Sequence, residues 1–475
     1  MKRALISVSD KRNLVEFVSG LIEAGYEIIS TGGTKKALEY IGIQTTPLLY
    51  SFEECLNMID LVCINLDPFQ QIVQKTDVTH EEIIENIDID GTSILRFASK
   101  NYQKINVVCD PSDYEKILNE IKEYGDTTQS TKELLAAKCF RYIASYDAMI
   151  ADYFTKKTND KYPERLTITF DKVQELRYGE NPHQSAAFYK GLYPAYSIAN
   201  AKKLHGKALS YNNIQDGNAA IEMLKEFKDV PVAIGVKHMN PCGIGLGENI
   251  EEAWDKAYQA DPISIFGGII AFNDIVHAPL AQKLSKIFLE IIIAPGFDEE
   301  AFAILSRKKN IRLMTLDTSL SVTNKQCYSN VYDGLLLQDI DESYIKEEDL
   351  RCVTKRKPTD QEMQQLLFAW KVVKHVKSNA IVLVKDNMTV GIGAGQMNRV
   401  GAAKIAIDQA KEQSFGSVMG SDAFIPMPDT VEEAVKAGIS AIIQPGGSIK
   451  DQLSIDVCNQ HGIAMVYTGV RHFKH

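Results

Sequence analysis

Residues 233–247 read AIGVKHMNPCGIGLG, and residues 380–395 read AIVLVKDNMTVGIGAG. Each is an apolar, strand-like run ending in Val-Lys, followed by a short polar turn and then GIG-x-G. Two copies, one with His after the lysine and one with Asp, point to duplicated subdomains whose strand ends face a shared cleft. A chance match between two short β-turn-β sequences is the competing reading.

Outward from these copies, the C-terminal part supplies further strand-like runs: IFGGIIAF, EIIIAP, AIIQP and IAMVYTG. Helical patterns lie between them, such as NAAIEMLKEF, DQEMQQLLFAWKVVKHV and TVEEAVKAG. The N-terminal part alternates in the same way. ALISVSD (4–10), EIISTGGT (27–34), IDLVCINLDPF (59–69) and KINVVCD (104–110) read as strands. KRNLVEFVSGLIEAGY and TKKALEYIG read as helices with glycine stops, and 131–154 as one long helix. Alternating strands and helices predict a parallel sheet flanked by helices, an α/β class. The polar stretch 155–165, TKKTNDKYPER, reads as a linker. The expected division is residues 1–155, a linker 156–164, and 165–475 as the larger part.

The chain has 475 residues and a formal net charge of −10, so it carries no general basic footprint for nucleic acid or an anionic membrane. The opening MKRALISVSDK is too short in apolar residues for a secretory signal, and no window approaches the roughly 18 apolar residues of a membrane span. Eight cysteines without a C-x-x-C pair read as reduced thiols, and the expected compartment is the cytoplasm.

Chemistry concentrates in VKHMNPCG (236–243). A zinc site needs three or four ligands at set spacings, but Cys242 has no partner cysteine two residues on and no H-x-E accompanies it. A cysteine nucleophile needs a base in reach, and the Pro-Cys-Gly turn leaves the thiol's aim open. Lys237 and His238 at a strand end form a third option, a proton-transfer pair. A neighbouring ammonium disfavours an imidazolium, which leaves the ring available as a base. A surface lysine beside a core histidine is the bland reading.

Other stretches are equally unusual. LRYGENPHQ (176–184) places Arg177 and Tyr178 before a Gly-Glu-Asn-Pro turn, and a guanidinium there can bind phosphate through two hydrogen bonds. GKALSYNNIQDGNAA (206–220) sets Asn213 and Asp216 at a helix start, where capping competes with binding. SDAFIPMPD (421–429) is too proline-rich for a central strand. IIQPGGS (442–448) offers turn amides to an anion, and TGVRHFKH ends the chain with basic and aromatic groups.

From LRYGENPHQ to RHFKH these motifs resemble, in order, the formyltransferase domain of the bifunctional aminoimidazole carboxamide ribonucleotide (AICAR) transformylase/inosine monophosphate cyclohydrolase family. SVSDK and STGGT resemble that family's cyclohydrolase domain more weakly. The resemblance implies a methylglyoxal-synthase-like parallel βα domain followed by a duplicated cytidine-deaminase-like α/β domain without zinc. It implies formyl transfer from 10-formyltetrahydrofolate to the 5-amino group of AICAR, no resident metal, and a homodimer with shared active sites. On matched positions, His238 would be the base, Lys237 the acid or electrostatic aid, and Asn379 of KSNA the oxyanion donor. Arg177, Tyr178, Asn213, Asp216, Phe266, Gly267, Arg399, Arg471, Phe473 and His475 would surround the nucleotide, with Phe424 and Asp429 on the folate side. Cys242 receives no role.

The first part departs from the family. A basic Lys-Thr-Leu-His-Pro loop, carried on an insert of a few dozen residues, is missing where TTPLLYSFEECLNM (45–58) runs straight on. The family's Asn-Leu-Tyr-Pro-Phe is NLDPF here, with Asp67 replacing the tyrosine, and Asp90 stands where the family has glycine. Ser7, Ser9, Thr31, Gly32, Asp67, Asp88 and Lys100 are therefore expected to mark a degenerate cyclohydrolase site. Backbone amides there still suit phosphate, whereas a carboxylate at 67 would repel it. The alternative is a fully bifunctional enzyme that closes the ring with other residues.

Overall fold

Four short runs of β-branched and leucine residues make the sheet of the first unit. They are β1 (Lys2–Val8), β2 (Tyr26–Ser30), β3 (Leu61–Asn65) and β4 (Asn106–Val108), all parallel in the order β2-β1-β3-β4. β3 is buried at every position, as a central strand covered by helices on both faces must be. The long helix Gln129–Thr158 buries Leu135, Ala136, Cys139, Ile143 and Tyr146, a stripe at three- and four-residue spacing. Thr128 caps its start through the Thr131 amide, and Asn159 closes it at φ 54°.

The computed structural model describes residues 2–47, 58–322 and 325–475. The shortened loop of the first unit, with Cys55, falls largely on 48–57 and lies outside the described residues. Contacts divide the chain into Met1–Phe170 and Asp171–His475. The division comes after the polar stretch because the helix runs on through Lys156, and Ser145 and Thr169 share a hydrogen bond at 2.7 Å that holds the next segment to the first unit. Among the described residues no helix is long and apolar enough to cross a membrane.

The second unit opens with a hairpin, β5 (Asp171–Leu176) and β6 (Ala186–Lys190). Its strands continue as β7 (Lys202–His205), β8 (Val232–Lys237), β9 (Asn240–Leu246), β10 (Ile269–Phe272), β11 (Ile291–Ala294) and β12 (Arg312–Thr315). A second hairpin, β13 (Gln326–Val331) and β14 (Gly334–Asp339), precedes β15 (Arg351–Cys352). Then come β16 (Ile381–Lys385), β17 (Met388–Gly393), β18 (Val418–Ser421), β19 (Ala441–Gln444) and β20 (Ala464–Tyr467). Outside the hairpins they form one twelve-stranded sheet, β15-β20-β19-β18-β16-β17-β9-β8-β10-β11-β12-β7.

This order is one pattern written twice. In each half an antiparallel hairpin (β8–β9, β16–β17) pairs antiparallel with a third strand (β10, β18), two parallel strands follow, and an antiparallel strand covers the edge. The halves meet where β9 and β17 lie side by side, with Met388 opposite Gly245. The two copies of the echoed sequence are thus neighbours at the centre of the sheet.

Alternation along the strands explains the three layers. Val232, Ile234 and Val236 enter a core shared with the helices Tyr211–Leu224 and Asp360–Val373, while Ala233 faces the helix Ile250–Ala260. In the second half Val382 and Val384 enter that same shared core, and Ile381 and Leu383 face the helix Arg399–Ala410.

GIG-x-G has a matching physical reason in both halves. A Cβ on Gly243 would lie 2.3 Å from the Ala257 carbonyl oxygen, and one on Gly245 2.3 Å from that of Ala253. On Gly391 and Gly393 it would lie 2.0 Å from the oxygen of Ala406 and 1.9 Å from that of Ala402. Each half lays a helix backbone directly on its hairpin, and only glycine leaves room.

Candidate functional site

β8 runs out at Lys237, which pairs with Asn240 across a two-residue turn. The tip residues, His238 at φ 51° and Met239 at φ 61°, are both left-handed. The second copy makes the same turn with Asp386 at φ 51° and Asn387 at φ 61°. Asp, Asn and His visit this region more readily than other non-glycine residues, but Met does not, and neither copy has the glycine such a turn favours. Two consecutive non-glycine residues in this region, His238 and Met239, are a strained arrangement of the kind that clusters at functional sites.

The surroundings hold that tip in place. Asp216, on the helix Tyr211–Leu224, accepts a hydrogen bond from the Met239 amide at 2.7 Å. Burial raises the Asp216 carboxyl above its ordinary range, with the Met239 hydrogen bond and the nearby His238 opposing that shift. The Lys237 ammonium donates to the Phe266 carbonyl at 2.8 Å, and Gly267, at φ 73°, donates its amide to Phe288. Lys237, His238, Asp216, Phe266 and Gly267 therefore form one neighbourhood.

Asn240 carries that neighbourhood to the second half. Its Nδ2 donates to the His238 carbonyl at 3.1 Å and its Oδ1 accepts from the Lys377 amide at 3.0 Å. Ser378 and Asn379 follow directly. Asn379 donates from Nδ2 to the Gln396 carbonyl at 2.8 Å and accepts at Oδ1 from Arg399 at 2.7 Å. The chain terminus joins here: Ser378 donates its amide to the Lys474 carbonyl at 2.9 Å, and Lys474 pairs with Glu222 at 2.9 Å. A cavity of about 280 Å³ results, lined by Ser378, Asn379, Gly395, Gln396, Met397, Phe473 and His475. Two residues of the terminal RHFKH, Phe473 and His475, thus line the cavity.

Two of the residues expected at the nucleotide have protein partners of their own. Arg399, expected along the nucleotide, is buried with its guanidinium committed to Asp422, to Ser421 at 2.9 Å and to Asn379. Its protein contacts place it behind Asn379. Asn213 makes the capping box with Ser210, its Oδ1 accepting from the Ser210 amide at 3.2 Å. Capping, the competing account of that residue, is what its side chain does.

The remaining residues lie further out. Arg177 is exposed and sits over the Tyr178 ring at 5.7 Å, and the following loop meets the helix start where Asn212 donates to the Glu180 carbonyl. Arg471 lies over Phe473 at 4.7 Å. Phe424 is exposed beyond β18, and Asp429 begins the helix Asp429–Lys436. Burial pushes the Cys242 thiol up to about 12, with Asp261 adding to it, so a nucleophilic thiolate is disfavoured there. Among the described residues no group of His, Cys, Asp and Glu converges in a metal-binding arrangement. Sequence reasoning missed Ser378, Gln396 and Asp422, although Asp422 stood in a motif already singled out.

In the first unit, residues following the C-terminal ends of β1 and β3 meet. Ser9 donates to Asp67, and the Val8 amide donates to the Thr34 hydroxyl at 2.9 Å. Thr31 and Gly32 begin the helix Gly32–Tyr40 after β2. Asp88 caps the helix Ile89–Lys100 by accepting from the Gly91 amide at 2.7 Å. Burial raises the Asp88 carboxyl, and the Asp67 charge adds to the rise. Lys100 departs from the expected grouping: it ends the helix that Asp88 begins, about 18 Å along at 1.5 Å per residue.

Family comparison accords with this geometry. A family model described as AICARFT/IMPCHase bienzyme matches residues 98–409, and one described as MGS-like domain matches residues 13–93. The protein named "Bifunctional purine biosynthesis protein PurH" of Oceanobacillus iheyensis is 55% identical over 510 positions, covering 100% of both chains. The protein of the same name from Bacillus subtilis is 54% identical over 511 positions, again covering 100% of both. With 510 aligned positions against 475 residues, about 35 positions have no residue here. Among solved structures, one titled "Crystal structure of ForH" is 27% identical and covers 32% of this chain and 98% of its own, with a TM-score of 0.27. A family model spanning residues 98–409, an MGS-like match ahead of it and full-length relatives at 54–55% identity leave one conclusion: the chain belongs to the AICARFT/IMPCHase bienzyme family.

Proposed function

We propose that the second unit transfers a formyl group from 10-formyltetrahydrofolate to the 5-amino group of AICAR, a step of purine biosynthesis. The observation that carries this reading is the strained His238 tip, braced by Asp216 and tied through Asn240 to the Lys377–Asn379 segment. The amine is conjugated with the imidazole and carboxamide, so it is a weak nucleophile. His238 accepts its proton as the C–N bond to the formyl carbon forms. Asn379 donates an Nδ2 hydrogen to the oxyanion of the tetrahedral intermediate. Lys237 supplies positive charge and a proton to folate N10 as that C–N bond breaks. Arg177 and Arg471 bind anionic groups of the substrates, with Tyr178, Phe473 and His475 around the nucleotide and Phe424 and Asp429 toward the folate. The working form is a homodimer in the cytoplasm.

The first unit, in the same proposal, has lost ring closure. Support comes from Asp67 in place of the family's tyrosine, the missing basic loop, and the proximity of Asp67 to Asp88, two carboxylates where an anionic ligand would bind. A second reading, a bifunctional enzyme that also forms inosine monophosphate, is favoured by the names and full-length coverage of the relatives.

Product analysis separates them. Purified chain, AICAR and 10-formyltetrahydrofolate are mixed and the nucleotides resolved by chromatography over time. Formyl-AICAR is expected to accumulate, with inosine monophosphate no faster than in the enzyme-free control. Prompt inosine monophosphate would establish the second reading. No product at all would remove the transferase assignment.

A further inference from the structure

Asp422 is wholly buried, carries a carboxylate, and has no role in the reaction as set out above. Its two oxygens are divided. Oδ1 accepts from Arg399 Nη1, and Oδ2 accepts from the Ser378 hydroxyl at 2.6 Å. Its carbonyl accepts the His472 amide at 2.9 Å, which ties it to the chain terminus. Arg399, held by Asp422 and Ser421, presents Nη2 to Asn379 Oδ1.

This arrangement admits only one orientation of the Asn379 amide. With Oδ1 facing the guanidinium and Nδ2 facing the Gln396 carbonyl, both of these contacts pair a donor with an acceptor. A flipped amide would set Nδ2 against Arg399 and Oδ1 against the Gln396 oxygen, two repulsive contacts. In the observed orientation one Nδ2 hydrogen is bound to Gln396, and the other has no protein partner among the described residues. Asn379 lines the cavity, so that second hydrogen is the one available to a substrate oxygen.

We infer that Asp422, acting through Arg399 and Ser378, is a positioning residue that locks the Asn379 amide with its free Nδ2–H ready for the developing oxyanion. The inference rests on the formyl-transfer reading. A buried ion pair is a weak source of stability, and a fixed arrangement of groups is the better-attested reason to retain one. The effect belongs in kcat, because donor orientation matters most where the negative charge develops.

The test is a double-mutant cycle on the full chain. Asp422→Asn and Arg399→Lys are each expected to lower kcat for formyl transfer roughly tenfold to hundredfold, with KM for AICAR within about threefold. Arg399→Lys keeps a charge opposite Asp422 while losing the fork that reaches both partners, so it decides the matter if Asp422→Asn does not fold. In an Asn379→Ala background either change is expected to cost little more, since its target is already gone. The same loss in both backgrounds, or full kcat in a folded variant, overturns the inference. A wild-type chain without formyl transfer is a separate outcome, which overturns the reaction and this role with it.

Discussion

His238→Ala is expected to lower kcat for formyl transfer by about a thousandfold, within the range of a lost general base, while AICAR binding changes only a few-fold. The imidazole is the proposed proton acceptor, whereas the contacts that shape the nucleotide site come from the surrounding loops and the chain terminus. Steady-state kinetics and calorimetric titration of AICAR measure the two effects separately. The tip geometry supplies a control. His238 sits at φ 51°, where alanine is strained and asparagine is tolerated. His238→Asn is therefore expected to match or exceed the wild type in stability and to be as inactive as the alanine variant. Turnover near the wild-type level in either variant would mean that the proton leaves by another group. Loss of AICAR binding in both would mean that the ring holds substrate.

Gly393→Ala is expected to destabilise the second unit by about 3 kcal/mol, at the upper end of overpacking costs. The added methyl would lie 1.9 Å from the Ala402 oxygen and 2.7 Å from its carbonyl carbon. Those are backbone atoms of the helix Arg399–Ala410, so no side-chain rotation relieves the clash and the helix itself must move. Arg399 opens that helix, so a folded Gly393→Ala protein is also expected to lose formyl transfer through Asn379. Gly191, with nothing within 4 Å of a built Cβ, is the reference: Gly191→Ala should stay within about 0.5 kcal/mol. Denaturant unfolding of both variants gives the comparison. Equal midpoints would show that the sheet and helix separate at no cost, and close approach would no longer explain the repeated glycines.

Much of this molecule could be read before any coordinates. Hydrophobic periodicity located the strands and the long helix, because period-two and period-3.6 burial are local properties of a chain. The echo between 233–247 and 380–395 raised the duplication against a chance match, and the repeated sheet order decided it, since the same backbone contact needs glycine at the same two places in each half. The order of motifs carried the family. Whether ring closure survives turns on residues the sequence alone marked as unusual, above all Asp67.

What tertiary structure alone decided is which polar groups are free and which are spent. From sequence, Arg399 and Arg177 are both arginines in plausible binding motifs. Folding leaves one exposed beside Tyr178 and buries the other against Asp422, because a guanidinium taken from water must find fixed acceptors. Asp422 and Ser378 were silent for the same reason: their roles exist only through partners 23 and 44 residues away, respectively. Nor could spacing along the chain show that Asp88 and Lys100 stand at opposite ends of one helix, or that Phe473 and His475 line the cavity. Local pattern determined the elements and the repeated turn; long-range hydrogen bonding determined which side chains remain free of protein partners.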